Sequence, residues 1–415
     1  MSEIEVFIEL DGETVSVGRA WSHRRGGSES MTFRYDDSYL AQSPTAYALD
    51  PDLPLDAGSH QSGQLKIFGA FSDCAPDRWG RRLIERKERL RARREGGERS
   101  IGELQFLLGV RDDLRQGALR FRYPNDEVFL APDDDGVPPV IELGRLLRAA
   151  ELLEREEASE AEVALLFRAG SSLGGARPKA HVLDQNGRVA IAKFPSSRND
   201  RWDVIRWEAI SLELARRAGI TVPRFNLHEI DGQWVLILDR FDRDGDMRLG
   251  FASAMTMVQG RERETGSYLD IAEAIEEYGA KPTKDLQELW RRMAFGLLIS
   301  NTDDHLRNHG FLRTSTSGWR LSPAFDINPD PATGPKEFAT AIVGDPVATF
   351  DDLLDVTSEF RLDQKGAKAI LTEVQEAVQS WREVAESRGL ETPAIDEMLP
   401  AFEHERSMAV RAYLR

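Results

Sequence analysis

The chain has 415 residues, of which 41% are apolar and 30% are charged, a balance that excludes disordered and fibrous proteins and predicts a soluble globular one. Its length predicts two or more packed units. A formal net charge of −17 argues against a large nucleic-acid surface, because phosphate binding depends on clustered Lys and Arg. We therefore expect no direct contact with nucleic acid.

The single cysteine, Cys74, excludes disulfides within the chain and cysteine-rich zinc sites, which suits a reducing compartment. The first residues lack the basic and apolar segments of a secretory leader, and no run of about 18 apolar residues occurs. These features predict a cytoplasmic protein that does not associate with a membrane.

The first residues alternate between apolar and acidic side chains, stop at Asp11-Gly12 and resume at Val15. This period-two pattern around an Asp-Gly turn predicts a β-hairpin. Phe33 and Leu119 lie in further short strand patterns. We therefore expect a β-rich N-terminal region.

The segment from Pro76 to Arg99 predicts a helix that is crowded with arginine. Glutamates lie between the arginines at spacings that pair charges along a solvent-exposed helix face, which is the interpretation we favour. Contact with RNA or DNA is the less favoured alternative.

Residues 132–139 contain three prolines and three aspartates, and such a segment cannot continue a helix or a strand. We place a domain boundary there. The predicted domains are residues 1–131, residues 140–243 and residues 244–415.

Three glycines follow the short apolar run 163–167, namely Gly170 and the pair Gly174-Gly175. The pattern predicts a strand, a glycine loop, a second strand, a turn at Asn186-Gly187 and a third strand. Glycines let backbone N–H groups approach phosphate oxygens. Because Ala176 follows where a P-loop requires lysine, a P-loop ATPase or GTPase is disfavoured. A plain glycine-rich turn is the structural alternative.

Lys193 lies in the apolar stretch 190–194, where an unpaired ammonium group is costly. The phosphates of ATP, together with a glutamate on a helix, would supply the missing negative charge. The helix predicted over residues 203–219 carries Glu208 beside its apolar stripe. We therefore expect Glu208 to be the partner of Lys193.

Two strands separated by Asp231-Gly232 lead into the segment 239–243. In a kinase this segment would be the hinge, where backbone groups bind adenine. Beyond residue 243 the apolar period changes from two to about 3.6, which predicts helices. A strand-rich front and a helical back predict an α+β, bilobal, protein-kinase-like architecture.

Asp303 and Asn308 are five residues apart. The same spacing occurs in the catalytic loop of protein kinases, where the aspartate accepts the proton of the substrate hydroxyl and the asparagine binds magnesium. Asp326 falls where a second metal-binding carboxylate is needed, whereas the neighbouring Asp304 lacks the spacing. Turn and cap chemistry is the structural alternative for such polar residues.

Taken together, these motifs resemble the HipA-family serine/threonine kinases, the toxin components of bacterial toxin–antitoxin pairs. The matching segments are 170–179, 191–195, 239–243, 301–308 and 322–327, with 33–36 and 117–119 in the front domain. The resemblance implies a HipA-type N-terminal subdomain over 1–131, a kinase N-lobe over 140–243 and an all-helical C-lobe over 244–415.

By this resemblance, Asp303 is the catalytic base, Asn308 and Asp326 are the Mg²⁺ ligands, and Ser172 is the serine that autophosphorylates. The implied cofactors are ATP and Mg²⁺. The expected ATP-binding residues are Gly170, Ser171, Ser172, Gly174, Gly175, Lys193, Glu208, Asp239 and Phe241.

The resemblance also implies a protein substrate such as an aminoacyl-tRNA synthetase and a HipB-like DNA-binding antitoxin as partner. Arg177-Pro178 and Arg307 depart from the common family pattern, which affects substrate and partner identity more than the chemistry. Two alternatives stay open: a kinase of the same fold that acts on a lipid or small molecule, and a weakly active member that works mainly as an antitoxin-binding corepressor.

Overall fold

The structure, a computed structural model, describes residues 2–42, 45–96, 101–129, 136–170, 175, 177–196, 198, 200–261, 266–315 and 317–415. The chain forms two compact units: Met1–Asp200 with Asn226–Ala252, and Arg201–Phe225 with Ser253–Arg415. Within the described part of the chain, no helix combines the length and apolar character needed to cross a membrane.

The first unit begins with an antiparallel sheet in the order β4-β3-β2-β1-β5. Its strands are β1 (Ser2–Leu10), β2 (Glu13–Arg25), β3 (Ser28–Tyr35), β4 (Ser59–Gln61) and β5 (Leu119–Arg122). The predicted hairpin is confirmed. Asp11 and Gly12 both have positive φ, +50° and +84°, as a two-residue turn between twisted strands requires.

The helices of this unit include the predicted arginine-rich one. They are α1 (Asp37–Leu40), α2 (Gly69–Asp73), α3 (Arg78–Glu95), α4 (Glu103–Leu108), α5 (Leu143–Glu154) and α6 (Glu160–Arg168), and a 3-10 turn spans Val140–Glu142. In α3, Arg91 pairs with Glu88 at 2.7 Å and Arg89 with Glu85 at 3.9 Å. The side chains of these pairs are between 31% and 60% exposed, so the paired charges lie on a partly solvated face, as expected.

The prediction of a strand over residues 163–167 is wrong, because these residues lie in α6. Ser159 caps the helix, accepting a hydrogen bond from the Ala161 backbone, and Glu162 reaches back to the Ser159 backbone. Such a capping box fixes a helix start. Val163 and Leu166 are buried, which is the three-residue spacing of one helix face.

A second sheet follows in the order β6-β7-β9-β8. Its strands are β6 (Lys179–Leu183), β7 (Val189–Lys193), β8 (Phe225–Ile230) and β9 (Gln233–Asp239). Three short strands outside this sheet come next in the chain, namely β10 (Arg243–Asp244), β11 (Met247–Arg248) and β12 (Gly250–Ser253). The predicted hairpin at Asn186-Gly187 is confirmed. Trp79 of α3, Leu147 of α5 and Val163 of α6 share one hydrophobic core with Val182 and Ile237 of the sheet.

The second unit is mainly helical. Its elements are α7 (Val204–Arg217), α8 (Ala254–Met257), β13 (Gly266–Ser267), α9 (Tyr268–Tyr278), α10 (Pro282–Ile299), β14 (Gly310–Ser315), β15 (Gly318–Leu321), β16 (Thr340–Ala341), α11 (Phe350–Asp355), α12 (Gln364–Gln379), α13 (Trp381–Ser387), α14 (Thr392–Glu397), α15 (Leu399–Phe402) and α16 (Glu405–Leu414). Two 3-10 turns span Leu306–Asn308 and Thr357–Phe360.

The expectation that the region after residue 244 is entirely helical needs one correction. Strands β14 and β15 form an antiparallel hairpin that pairs Phe311 with Leu321, and β13 pairs in parallel with β16. Phe311 is buried while Leu321 is half-buried. The hairpin leads the chain from the 3-10 turn at Leu306–Asn308 to the segment that contains Asp326.

Candidate active site

The loop that follows α10 begins at Ser300. This residue is fully buried and adopts a left-handed conformation with φ +54°, a strain that persists only where the surroundings enforce it. Arg406 donates a hydrogen bond to its hydroxyl at 3.1 Å, and the Thr302 N–H donates to its carbonyl at 2.9 Å. The turn therefore reverses the chain just before Asp303.

Asp303 and Asn308 are brought together by a direct hydrogen bond. Asn308 Nδ2 donates to the backbone carbonyl of Asp303 at 2.9 Å, and the Asn308 N–H donates to the His305 carbonyl at 2.7 Å. Asp303 is exposed, whereas Asn308 is buried. Oδ1 is the atom of Asn308 that can bind a cation, because the amide nitrogen is a donor only, and the bond made by Nδ2 fixes the orientation of the amide.

Asp304 has a different environment from its neighbour and was not assigned a role by its sequence spacing. Its buried carboxylate accepts a hydrogen bond from the Tyr268 hydroxyl, and its Oδ2 lies 3.2 Å from His309 Nε2. Burial raises the pKa of Asp304, but contact with His309 and Tyr268 outweighs it and holds the pKa below its ordinary value. Thr340 Oγ1 also donates to the Asp304 carbonyl at 2.5 Å. Asp304 therefore holds the loop on its buried side.

Asp326 lies on a second irregular segment of the same unit. It is half-buried and has φ +59°, an uncommon conformation for a residue with a side chain. The Asn328 N–H donates to Asn301 Oδ1 at 3.2 Å, and the Asp330 N–H donates to the Ser300 carbonyl at 3.1 Å. These bonds tie the segment of Asp326 to the loop of the predicted base.

The oxygen ligands in this region suit magnesium. Mg²⁺ usually takes one or two protein carboxylates and completes its shell with phosphate oxygens and water. Asn308 Oδ1 and the Asp326 carboxylate offer two such hard ligands. In the described ranges, no group of three or more His, Cys, Asp or Glu side chains is placed to hold a metal ion. The assignment of Asn308 and Asp326 as Mg²⁺ ligands stays a prediction.

Lys193 belongs to the first unit, at the end of β7. Its neighbours across the sheet are Lys179 on β6 and Leu236 on β9. Glu208 lies in the second unit, buried on α7 with 2% of its surface exposed. The pairing of Lys193 with Glu208 stays a prediction.

The predicted glycine loop starts from a position that only glycine can occupy. Gly170 has φ +90°, and a Cβ built there would lie 2.5 Å from His181 Nδ1 and 2.7 Å from Leu114 Cδ1. Gly175 also has positive φ, +102°. The remaining predicted loop residues, Ser171, Ser172 and Gly174, lie outside the described residues.

A buried hydrogen-bonded chain supports the start of this loop. His181 Nδ1 lies 3.2 Å from the Ala169 carbonyl, and His181 Nε2 lies 3.1 Å from Arg240 Nη1. Both contacts are satisfied when the His181 proton sits on Nδ1. Burial, together with the charge of Arg240, lowers the pKa of His181 well below its ordinary value. The neutral ring therefore links the loop to the segment 239–243.

Within that segment, the predicted ATP contacts lie among residues with a structural role. Asp239 Oδ2 is 3.9 Å from Arg188, and the ring of Phe241 is 6.4 Å from that of Phe251. Neither distance tests a contact with adenine, so both assignments stay predictions.

Sequence reasoning missed the ion cluster centred on Asp242, which is 3% exposed. Its carboxylate accepts hydrogen bonds from Arg240 at 2.6 Å, from Arg243 at 2.8 Å and from the Gly117 backbone at 2.8 Å. Burial raises the pKa of Asp242, but the two arginines outweigh it and leave the pKa below its ordinary value. The two Asp-Arg pairs in residues 239–243 were the signal that could have suggested this ion cluster.

Comparison with known proteins shows which family the chain matches. The family model described as HipA-like C-terminal domain matches residues 171–381, and the one described as HipA N-terminal domain matches residues 13–107. A relative from Sinorhizobium fredii (strain NBRC 101917 / NGR234), named "Putative kinase Y4mE", is 23% identical over 344 residues, which cover 76% of this chain and 77% of the relative. "Putative kinase Y4dM" of the same strain is 29% identical over 154 residues, covering 33% of this chain and 36% of that protein.

Among solved structures, a chain from the Shewanella oneidensis MR-1 toxin–antitoxin complex of HipA, HipB and operator DNA matches with a TM-score of 0.69. The match covers 98% of this chain and 96% of that one at 17% sequence identity. At that identity the likeness shows a shared fold.

Proposed function

Because the chain belongs to the HipA-like kinase family, we propose that it transfers the γ-phosphoryl group of ATP to a serine or threonine hydroxyl of a protein. The observation that carries this proposal is the tether between the Asn308 side chain and Asp303. This hydrogen bond closes the loop between the two residues, with the Asp303 carboxylate exposed and the Asn308 carboxamide buried. Phosphoryl transfer needs one group that orients the attacking hydroxyl and another that binds magnesium.

In the proposed reaction, the exposed Asp303 carboxylate orients the substrate hydroxyl and accepts its proton. The hydroxyl oxygen bonds to the γ-phosphorus as the bond to the bridging oxygen of ADP breaks. Asn308 and Asp326 would hold Mg²⁺, which when bound neutralises charge on the phosphates. Lys193 and the backbone N–H groups of the loop from Gly170 to Gly175 would bind the phosphate oxygens. Most of the catalysis then comes from positioning and electrostatic stabilisation.

The proposed partners follow from the family and from the neighbouring structure. HipA of Shewanella oneidensis was solved with HipB and operator DNA, and we extend to this chain a HipB-like DNA-binding partner. A chain with net charge −17 would reach DNA through such a partner more readily than by itself. For the substrate, the family resemblance favours an aminoacyl-tRNA synthetase.

The proposal is tested by incubating the protein with γ-labelled ATP, Mg²⁺ and cell extract, and then separating protein from an organic extract. We expect a protein band that carries label on serine or threonine with the wild type and does not carry it with Asp326→Ala. Mass spectrometry of that band identifies the substrate.

Each alternative has its own outcome in this assay. Label in the organic phase favours a lipid or small-molecule kinase. Absence of label combined with tight binding of a HipB-like partner favours the corepressor. Undiminished label with Asp326→Ala contradicts the assignment of Asp326 as a metal ligand.

Autophosphorylation of Ser172 is a second expected result. A phosphate adds roughly 1.5 to 2 negative charges and three acceptor oxygens, so the modified loop would repel the phosphates of ATP and stop catalysis. After incubation with Mg-ATP, mass spectrometry should find phosphate on Ser172 in the wild type and not in Asp303→Asn. Ser171→Ala serves as the control that retains the modification. Phosphate on neither serine of the active enzyme contradicts the prediction.

A further inference from the structure

The first turn of α3 contacts the first residue of β6, although about a hundred positions separate them in the chain. Asp77 caps α3 by accepting a hydrogen bond from the Gly80 N–H at 2.9 Å, and its Oδ2 lies 3.6 Å from Lys179 Nζ. Trp79 Nε1 donates to the Lys179 carbonyl at 2.9 Å. Lys179 is therefore held by its side chain and by its backbone at once.

These contacts are buried. Lys179 is 4% exposed and Trp79 is 1% exposed. The indole packs in the same core as Ala180 of β6 and Ala192 of β7. Because the indole N–H is a directional donor on a ring fixed by packing, it sets the position of the Lys179 carbonyl.

The position of Lys179 gives this contact a functional meaning. It stands four residues after Gly175, and its cross-strand neighbour on β7 is Lys193. Directly opposed residues project from the same face of a sheet, where two like charges repel. The carboxylate of Asp77 offsets the charge of Lys179. It therefore reduces the repulsion between the ammonium groups of Lys179 and Lys193.

We infer that helix α3 is a positioning element of the nucleotide site, with Asp77 and Trp79 as positioning residues that act through Lys179 on Lys193. The inference rests on the proposed kinase function. It gives the matched N-terminal domain, residues 13–107, an indirect part in nucleotide binding, through Lys179.

The test compares Trp79→Phe with Trp290→Phe. Trp290 is 0% exposed and its Nε1 donates to the Leu353 carbonyl at 3.2 Å, so both changes remove one buried indole hydrogen bond, but Trp290 lies in the other unit. Losing such a bond leaves a buried acceptor unsatisfied, and we expect Trp79→Phe to weaken Mg-ATP binding about tenfold by calorimetric titration. Trp290→Phe should bind Mg-ATP as the wild type does, even where its thermal midpoint falls equally.

Two further measurements sharpen the test. Hydrogen exchange of a peptide over residues 177–183, measured without nucleotide, should be faster in Trp79→Phe and unchanged in Trp290→Phe. Asp77→Asn keeps a good helix cap but removes the charge, and it should also weaken Mg-ATP binding. Weaker binding by Asp77→Asn would come from the loss of the charge, because the helix cap is retained.

The failures are distinguishable. If the wild type does not bind Mg-ATP, the proposed function fails and this inference falls with it. If the wild type binds Mg-ATP and Trp79→Phe binds it equally well, the inference alone is overturned. Equal weakening by Trp79→Phe and Trp290→Phe also overturns it, because the cause would then be a general loss of stability.

Discussion

Replacing Asp303 by Asn is expected to lower the kcat of protein phosphorylation about 10²- to 10⁴-fold, the range typical of a lost general base. The thermal midpoint should change little, because the Asp303 side chain is exposed, where an ion pair contributes about 1 kcal/mol or less, and the backbone carbonyl that binds Asn308 is retained. Initial rates with saturating Mg-ATP, together with differential scanning calorimetry, measure the two quantities on the same preparation.

The adjacent residue supplies the matched control. Asp304→Asn changes one carboxylate to a carboxamide one position along the chain, but at a buried site next to Tyr268 and His309. Losing a charge-assisted hydrogen bond there should reduce the free energy of unfolding by about 1–3 kcal/mol. The remaining folded protein should keep a far larger share of its kcat than Asp303→Asn does. If Asp304→Asn has the greater effect on kcat and none on stability, the roles assigned to the two aspartates are reversed.

The contrast between these aspartates marks how far sequence reasoning reached into the site. The five-residue spacing of Asp303 to Asn308, which matches the catalytic loop of protein kinases, favoured Asp303 over Asp304 as the base, and that assignment stays a prediction. The anchoring of Asp304 depends on Tyr268 and Thr340, which lie more than thirty residues away on either side. Contacts at that separation are set by packing, and local pattern does not report them.

A similar limit explains the errors in the fold. Hairpins at Asp11-Gly12 and Asn186-Gly187 were predicted correctly because the turn residues themselves dictate the backbone conformation. The run 163–167 was mistaken for a strand because five apolar or small residues fit either structure, and the decisive Ser159–Glu162 cap lies before the run. The strands β14 and β15 were missed because each is short and the sequence between them, Ser315-Thr316-Ser317-Gly318, has no Asp-Gly or Asn-Gly pair to mark a turn.

The charged segment 239–243 shows what a kinase-like interpretation alone overlooks. Sequence reasoning selected Asp239 and Phe241 for the nucleotide, whereas the structure shows Asp242 at the centre of a buried ion cluster with Arg240 and Arg243. Arg240 also reaches His181, whose ring contacts the Ala169 carbonyl next to Gly170. The cluster therefore supports the start of the glycine loop.

Replacing Asp242 by Asn should accordingly cause a large loss of stability, because it leaves Arg240 and Arg243 buried without their counter-charge. Breaking a buried ion pair by removing one partner typically costs about 3–5 kcal/mol. Chemical unfolding at pH 7 measures the change. The control is Asp231→Asn, which removes the partner of Arg148 in a pair whose side chains are 62% and 65% exposed and should cost about 1 kcal/mol or less.

The pH dependence gives an independent check on Asp242. Because the folded protein holds the pKa of Asp242 below its unfolded value, its contribution is fully present above the unfolded pKa, roughly 3.9. It is lost as the pH falls toward the folded pKa. The stability difference between the wild type and Asp242→Asn should therefore stay constant from pH 7 to about pH 5 and narrow below about pH 4. A difference that narrows instead on raising the pH from 5 to 7 contradicts an ionised Asp242, since a carboxyl kept neutral by burial would lose its advantage in that direction.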